Sequence, residues 1–335
     1  MVAGGILVEN RPDPSPDLGE ILVHVSAAGI NNADLLQMRG YYPAPPDSPA
    51  DIPGLELAGV VVARGPKAGR FEVGDPVMAV VGGGAQAELA VVHERCAMPV
   101  PPGVEMLQAG AFPEAFTTAH DALFTQAGLG MGERVLIHGG AGGVGTAAIQ
   151  LAVAAGARVT ASVRDPGRRQ AVADLGAVVI DPARFQDPQS SAEANSPPYM
   201  ADEGPFDVIL ELVGAPNMAA NLRSLAVGGR IVVIGIGGGS RGEVDLGMVM
   251  AKRAAIMGST LRARPLEGKA DAARGVEAHV LPLLESGWLQ VPIHSVFGLD
   301  DAAGAYDEFA RGNKLGKIVL QMAQTAVQPP STGKT

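Results

Sequence analysis

Apolar residues follow two different rhythms along this chain. In the first third they come as short, β-branched runs between Gly and Pro punctuation: EILVHVSAAGI (Glu20 to Ile30), LELAGVVVARG (Leu55 to Gly65), DPVMAVVGGG (Asp75 to Gly84) and ELAVV (Glu88 to Val92). Runs so spaced predict the strands of a small barrel or sandwich. The rhythm changes near Pro113. The stretch Phe112 to Ala127 has no Gly or Pro after Pro113 and predicts a helix. Strand-like and helix-like segments then alternate. RVLIH leads into the Ala-rich GTAAIQLAVAA, and ARVTASV (Ala157 to Val163) leads into DPGRRQAVADLGA, with Pro166 near its start and Gly176 near its end. AVVI (Ala177 to Ile180), FDVILELVG (Phe206 to Gly214), GGRIVVIGIGGG (Gly228 to Gly239) and AAIMGST (Ala254 to Thr260) supply further strands. Such alternation predicts a parallel sheet covered on both faces by helices.

Other stretches break the pattern. Ala183 to Gly204 is rich in Pro and small polar residues and reads as a surface loop with at most a short helix. Beyond Pro265 come a helical stretch, Lys269 to Glu285, and a closing strand, GKIVLQM. The tail from residue 326 reads as disordered. No internal repeat is visible.

The chemistry begins at HGGAGGVG, residues 138 to 145. Gly140, Gly142 and Gly145 spell G-x-G-x-x-G, and Gly143 and Val144 complete the turn. The motif alone is weak, but here it follows a strand and opens a helix. Without Cβ atoms the backbone can approach a pyrophosphate, and the helix N-terminus adds N–H groups and a positive dipole end. A dinucleotide is the expected ligand. NAD is usually gripped by an acidic residue at the end of the second strand, ~20 residues on. That place holds Ser162, Val163, Arg164 and Asp165, with Arg168 and Arg169 one turn later. Ser162 and Arg164 suit a 2′-phosphate, and Arg168 or Arg169 can assist, the other lying on a solvated helix face. Asp165 reads as the cap of the helix that Pro166 begins. NADPH is therefore favoured over NADH.

Composition narrows the setting. Hydrophobic residues make up 47% and charged residues 18% of 335 residues, enough core for two domains. The formal net charge of −10 disfavours nucleic acid and anionic membranes as partners. A single cysteine, Cys96, allows no intrachain disulfide and no four-cysteine zinc site. No apolar run reaches the ~18 residues of a membrane span, and the first residues lack a signal-peptide pattern, so a cytoplasmic protein is expected.

AAGINNADLLQMRGYYPAPP, DIPGLELAGVV, RFEVGDPVMAV, VLIHGGAGGVGTAAIQLA, GGRIVVIGIGGG, GSTLRAR and GKIVL occur in that order. Together they resemble the medium-chain dehydrogenase/reductase superfamily, and within it the zinc-free quinone oxidoreductase branch. The resemblance runs from about Leu7 to Leu320. It implies an α/β protein: a doubly wound, parallel Rossmann sheet over residues 116–258, plus a GroES-like, β-rich barrel domain formed by residues 1–115 and 259–325. It further implies an active site in the interdomain cleft and a homodimer through the edge of the Rossmann sheet.

The resemblance also assigns roles. Alcohol dehydrogenases of the superfamily carry a zinc-ligating Cys in the stretch here read as Ile30 to Asp34, and a His where this chain has Leu55 before Glu56. Neither ligand is present, so no zinc is expected. The acceptor would then be one that needs little polarisation, a quinone or an activated alkene. Tyr42 matches a tyrosine that lines the quinone site, with Tyr41 as the alternative. Asn31 matches an asparagine near the nicotinamide, where an amide can donate to the acceptor oxygen or to a cofactor hydroxyl. Thr118, Gly235, Ile236, Gly237, Asn313 and Lys314 fall at cofactor positions, and Ser259, Leu261 and Arg262 at the cleft wall. Glu56 is expected to serve the fold, as partner of Arg134 or another base. Asp34 is expected to cap a short helix, and His138 to pack at a strand end.

Three departures from the family pattern stand out. Its usual leading strand is not supplied by the first residues. Ile180-Asp181-Pro182 replaces a tyrosine often found beside the 2′-phosphate, which weighs against NADPH. Gly84 to Leu89 lacks the usual aromatics, which would open that part of the cleft. The function expected is NADPH-dependent quinone reduction; the rivals are enone or enoyl reduction on the same fold, or a redox sensor with little catalysis.

Overall fold

The computed structural model describes residues 5–183 and 204–323. The loop expected between Ala183 and Gly204 and the expected tail thus lie largely or wholly outside the described residues. The chain divides into two compact units, one of Met1–Glu114, Arg262–Asn313 and Lys317–Thr335, the other of Ala115–Leu261 and Lys314–Gly316.

The first unit is built on a mixed sheet. Its strands are β1 (Glu20–Ile30), β2 (Glu56–Arg64), β3 (Pro76–Val80), β4 (Leu89–His93), β5 (Ala97–Pro99), β12 (Ile293–Gly298) and β13 (Lys317–Gln321). They pair in the order β12-β13-β1-β2-β3-β5, with β4 on β1. The long β1 organises the sheet. Its first half pairs with β4, its second half with β13, and β2 runs antiparallel along the other edge. Alternation along β1 buries Ile21, Val23 and Val25, which meet Leu57, Val61, Val77, Ile318 and Leu320 in one core. The strand β12 and the helix Ala302–Arg311 were not distinguished in the sequence. That helix contributes Tyr306 and Phe309 to the same core. The Tyr306 hydroxyl donates to Gln86 Oε1 at 2.8 Å, so Gln86, in the stretch that lacks the family's aromatics, is buried.

The second unit holds a six-stranded parallel sheet. In chain order its strands are β6 (Arg134–Ile137), β7 (Arg158–Ser162), β8 (Val178–Ile180), β9 (Phe206–Glu211), β10 (Leu225–Val233) and β11 (Ala255–Gly258). They pair as β11-β10-β9-β6-β7-β8, all parallel. This is the Rossmann order, in which the chain reverses direction between β6 and β9 and leaves a crevice at their carboxyl ends. Leu136, Phe206, Ile209, Leu222 and Ile231 form a core on one face. The helix expected from Phe112 is Pro113–His120, and it continues as a π-helical turn over Asp121–Gln126. Among the described residues no helix is long and apolar enough to cross a membrane.

Candidate functional site

Two sites emerge, one in each unit. In the second, β6 ends at His138 and the chain turns through Gly139, whose φ of +69° favours glycine. The helix Gly143–Ala154 follows, with Gly142 as its N-cap and no side chain capping it. The glycines of the motif serve different ends. A Cβ on Gly145 would lie 2.3 Å from the Gly139 carbonyl oxygen, and one on Gly140 would lie 2.9 Å from Ala161 Cβ. These two permit tight packing of helix and strands. A Cβ on Gly142 would meet nothing nearer than 3.5 Å, so the protein itself does not require glycine there. What remains is open backbone beside uncapped N–H groups, including those of Gly143 and Val144, a cradle into which a pyrophosphate fits. The positive φ falls on Gly139, one residue before the first glycine of the motif.

Ser162 needs a correction. It is 3% exposed, and its hydroxyl lies 3.0 Å from His138 Nδ1 and accepts from Gly139 N–H at 3.4 Å. The proton positions follow from the network. Glu211 Oε2 accepts from Asn221 Nδ2 at 2.7 Å, so Asn221 turns its Oδ1 to His138 Nε2 at 2.8 Å. Nε2 then carries the hydrogen, and burial lowers the His138 pKa and keeps the ring neutral. Nδ1 must accept, and Ser162 spends its single hydrogen there. It has none left for a phosphate and instead supports the glycine turn from beneath. Glu211 is itself held by the N–H groups of Val213 and Gly214 at 2.6 and 2.8 Å. His138, expected only to pack, is the centre of this buried chain.

The basic residues sort themselves by partner. Arg164 is exposed at the end of β7. Arg168 pairs with Asp165 at 2.7 Å and donates to the Lys314 carbonyl at 3.1 Å. Asp165 accepts from Gly167 N–H, the cap expected before Pro166. Arg169 is not on a solvated face: it donates to Val163 O and pairs with Asp181 at 2.7 Å. Asp181, which raised the objection to a 2′-phosphate, is thereby charge-compensated. Lys314–Gly316 lies against the glycine turn, since Gly316 N–H donates to Ala141 O at 2.9 Å and Gly316 bridges Gly142. The exposed Asn313 immediately precedes this segment. Thr118 is 9% exposed in the helix Pro113–His120. Gly235 N–H donates to Glu211 O just past β10, with Ile236 and Gly237 exposed beyond it. Ser259 Oγ donates to Asp121 at 2.8 Å, and Leu261 is buried. Both belong to this unit, not to the returning segment.

In the first unit, Asn31 N-caps the helix Asn32–Met38. Asp34 reaches back to accept the Asn31 N–H at 2.8 Å and also accepts from Gly54 N–H at 3.0 Å, so it acts at the helix start as expected. The Asn31 amide itself faces a buried ion pair. Its Nδ2 donates to Glu56 Oε1 at 2.9 Å, and its Oδ1 accepts from Lys317 Nζ at 2.5 Å. Lys317 Nζ lies 2.5 Å from Glu56 Oε1 and donates also to Ile30 O at 3.2 Å. Glu56 Oε2 accepts from Glu114 N–H at 2.8 Å. The base that Glu56 needed is therefore Lys317 and not Arg134, whose N–H donates to Asp207. Sequence reasoning missed Lys317 and Glu114. A charged residue opening an apolar strand, as in KIVL and ELAGVVV, was the available signal.

Arg262 also needs a correction. Expected as a cleft wall, it is 4% exposed and works as a brace. It donates to Gly82 O at 2.7 Å, to Tyr42 O at 2.8 Å and to Gln37 Oε1, and its guanidinium lies 5.1 Å from the Tyr42 ring centroid. Tyr42 is half-buried, whereas Tyr41 is 80% exposed. Burial, with Glu114 adding to it, raises the Tyr42 pKa and keeps the hydroxyl a donor. Burial next to Glu56 pushes Glu114 up to about 8, and burial pushes Asp34 up to about 6. Glu114 Oε2 has no hydrogen-bond partner among the described residues. Among the described residues no three His, Cys, Asp or Glu side chains are grouped to hold a metal. An open hollow of about 670 Å³ elsewhere in this unit, lined by Arg11, Ile52, Cys96 and Lys269 among others, includes none of the candidate residues.

A parallel sheet in Rossmann order with an open glycine cradle, joined to a mixed β-sheet unit, defines a dinucleotide-dependent oxidoreductase. Two family models match: "Alcohol dehydrogenase GroES-like domain" over residues 17–102 and "Zinc-binding dehydrogenase" over residues 143–274. The chain belongs to the medium-chain dehydrogenase/reductase superfamily of NAD(P)-dependent oxidoreductases. It is 30% identical over 312 residues to the quinone oxidoreductase of Homo sapiens, covering 92% of this chain and 90% of that one. A quinone oxidoreductase structure from Pseudomonas syringae matches with a TM-score of 0.79 at 29% identity, covering 94% of each chain. A mycobacterial protein solved in complex with NADPH matches with a TM-score of 0.80 at 28% identity, over 93% of this chain and 94% of that one.

Two predictions follow from these geometries. Gly145→Ala, forced against the Gly139 carbonyl, should lose about 1–3 kcal/mol of stability in urea unfolding. Gly142→Ala should unfold like the parent but bind NADPH at least about tenfold more weakly by fluorescence titration, because only a ligand needs that space. Equal stability losses in the two variants would contradict these separate roles. The second prediction concerns pH. With its pKa raised from 4.5 to about 8, the Glu114 carboxyl stays protonated in the folded protein where the unfolded chain ionises. Its contribution is complete below pH 4.5 and is lost as pH rises towards 8. Glu114→Gln removes that loss. The variant should match the parent in Tm near pH 5 and exceed it by at least about 2 °C at pH 8; a difference that does not change with pH would contradict the assignment.

Proposed function

We propose that this chain is an NADPH-dependent quinone oxidoreductase that works without zinc. The observation that carries the reading is the Asn31 amide, partly exposed and held by a buried ion pair, in the stretch where alcohol dehydrogenases of the superfamily place a metal ligand. An amide, together with the apolar, 1% exposed Leu55 at the other ligand position, does not make a zinc site. The quinone oxidoreductase names of the human and Pseudomonas syringae relatives support the same reading.

NADPH would bind to the second unit. Gly142, Gly143, Val144 and Gly145 would take the pyrophosphate, and Arg164, with Arg168 and Lys314 beside the turn, the 2′-phosphate. Bound there, the reduced nicotinamide supplies hydride equivalents. Asn31 Nδ2–H and the Tyr42 hydroxyl would hold the acceptor oxygen as it gains negative charge, and Tyr42 or solvent returns the proton. The balanced reaction is quinone plus NADPH plus a proton giving hydroquinone plus NADP⁺. A quinone is electron-poor, so two neutral donors suffice where a simple ketone would need a Lewis acid. The protein is further proposed to be a homodimer. Among the described residues strand β11 is paired on one edge only, Ile256 on it is 39% exposed, and Leu246 and Met250 nearby in sequence are 70% and 78% exposed. Sedimentation at micromolar concentration should give twice the chain mass.

Steady-state assays with a benzoquinone series, simple enones and enoyl thioesters test the activity. Turnover of quinones is expected; turnover of enones alone would make the chain an alkene reductase, and NADPH binding with no acceptor would make it a sensor. Arg164→Ala should raise the NADPH Kd about tenfold and leave the NADH Kd unchanged. Equal effects on both would refute the 2′-phosphate role.

A further inference from the structure

We infer that Glu56 and Lys317 are positioning residues: they lock the Asn31 amide in one orientation, so that it meets the acceptor as a hydrogen-bond donor. The inference rests on the assignment of Asn31 to the acceptor oxygen. An asparagine amide is nearly symmetric in shape, and its two ends differ only in chemistry. Here the neighbours decide. An ammonium has only hydrogens to give and a carboxylate only lone pairs, so Lys317 must face Oδ1 and Glu56 must face Nδ2. Turning the amide over would set N–H against ammonium and oxygen against carboxylate in a site where both ions are buried.

The lock is itself fully bonded. Lys317 spends its three hydrogens on Ile30 O, Asn31 Oδ1 and Glu56 Oε1, and Glu56 Oε2 takes the Glu114 N–H. Of the two Nδ2 hydrogens, one goes to Glu56. Among the described residues the other has only the Gly29 carbonyl, at 3.5 Å, the outer limit of a hydrogen bond. An N–H therefore remains to be offered from a residue that is partly exposed. Such a group recognises an oxygen that bears lone pairs and gains charge, as a quinone or enone carbonyl does on reduction.

The test uses the full chain. With asparagine ¹⁵N-labelled, the Asn31 side-chain pair, identified by its loss in Asn31→Ala, should give two separate, slowly exchanging proton signals. In Lys317→Met these should shift together and exchange fast. Acceptor kcat/KM should fall about tenfold in Lys317→Met, with the NADPH Kd within about twofold, and Asn31→Ala/Lys317→Met should be no worse than Asn31→Ala alone. Should Lys317→Met fail to fold with Glu56 left unpaired, Glu56→Gln/Lys317→Met removes both charges and is read in the same way. Unchanged amide signals, or losses that multiply in the double variant, would overturn the inference. If the parent reduces no quinone and no enone, the proposed activity fails, while the amide signals still decide whether the lock exists.

Discussion

The ion pair between Glu56 and Lys317 is the contact on which the first unit depends. The two residues are far apart in sequence, yet they open neighbouring parts of one sheet, Glu56 at the start of β2 and Lys317 at the start of β13, on either side of the end of β1. Burying two ions costs several kcal/mol, which their attraction offsets only when every remaining hydrogen and lone pair is satisfied. Here Ile30 O, the Asn31 amide and the Glu114 N–H complete the set. The backbone has to make room for it: a Cβ on Gly29 would lie 2.2 Å from Glu56 Oε1. The orientation of Asn31, near the start of the chain, is therefore fixed only once the last strand has docked.

The second unit repeats the logic with different residues. Glu211 is buried and accepts from the backbone N–H groups that follow β9, and through Asn221 and His138 it determines which way the Ser162 hydroxyl points. Three strand ends and one helix are thus tied beneath the glycine turn. In both units a closed polar network lies behind, and a single open group is left in front: uncapped helix N–H groups in one case, an amide N–H in the other. Closed networks of this kind hold a site rigidly because each member has only one place to go.

Much of this was legible in the sequence. The short apolar runs between Gly and Pro predicted most strands of the two sheets, and the strand–glycine–helix context located the cradle. The failures have a common cause. Ser162 stood in the right place for a phosphate ligand, but its hydroxyl is claimed by His138, a partner 24 residues away that no local pattern announces. Arg262 was expected at the cleft wall and instead braces Tyr42 and Gln37 from a buried position. Glu56 was assigned to the fold with Arg134 or another base as its partner; the base is Lys317, which spacing could not single out because pairing across a sheet depends on strand order. Strand β12 is half-buried, with alternation too weak to be seen among its polar neighbours. Asp181 was read as an obstacle to NADPH for the same reason: its charge was visible and its partner Arg169 was not.

A crystal of the protein with NADP⁺ and a bound quinone would test the central claim most directly. The account predicts the Asn31 Nδ2 atom within about 3 Å of a quinone oxygen, with Oδ1 still on Lys317. A quinone oxygen held by other groups, with the Asn31 amide turned over or making no contact, would contradict it.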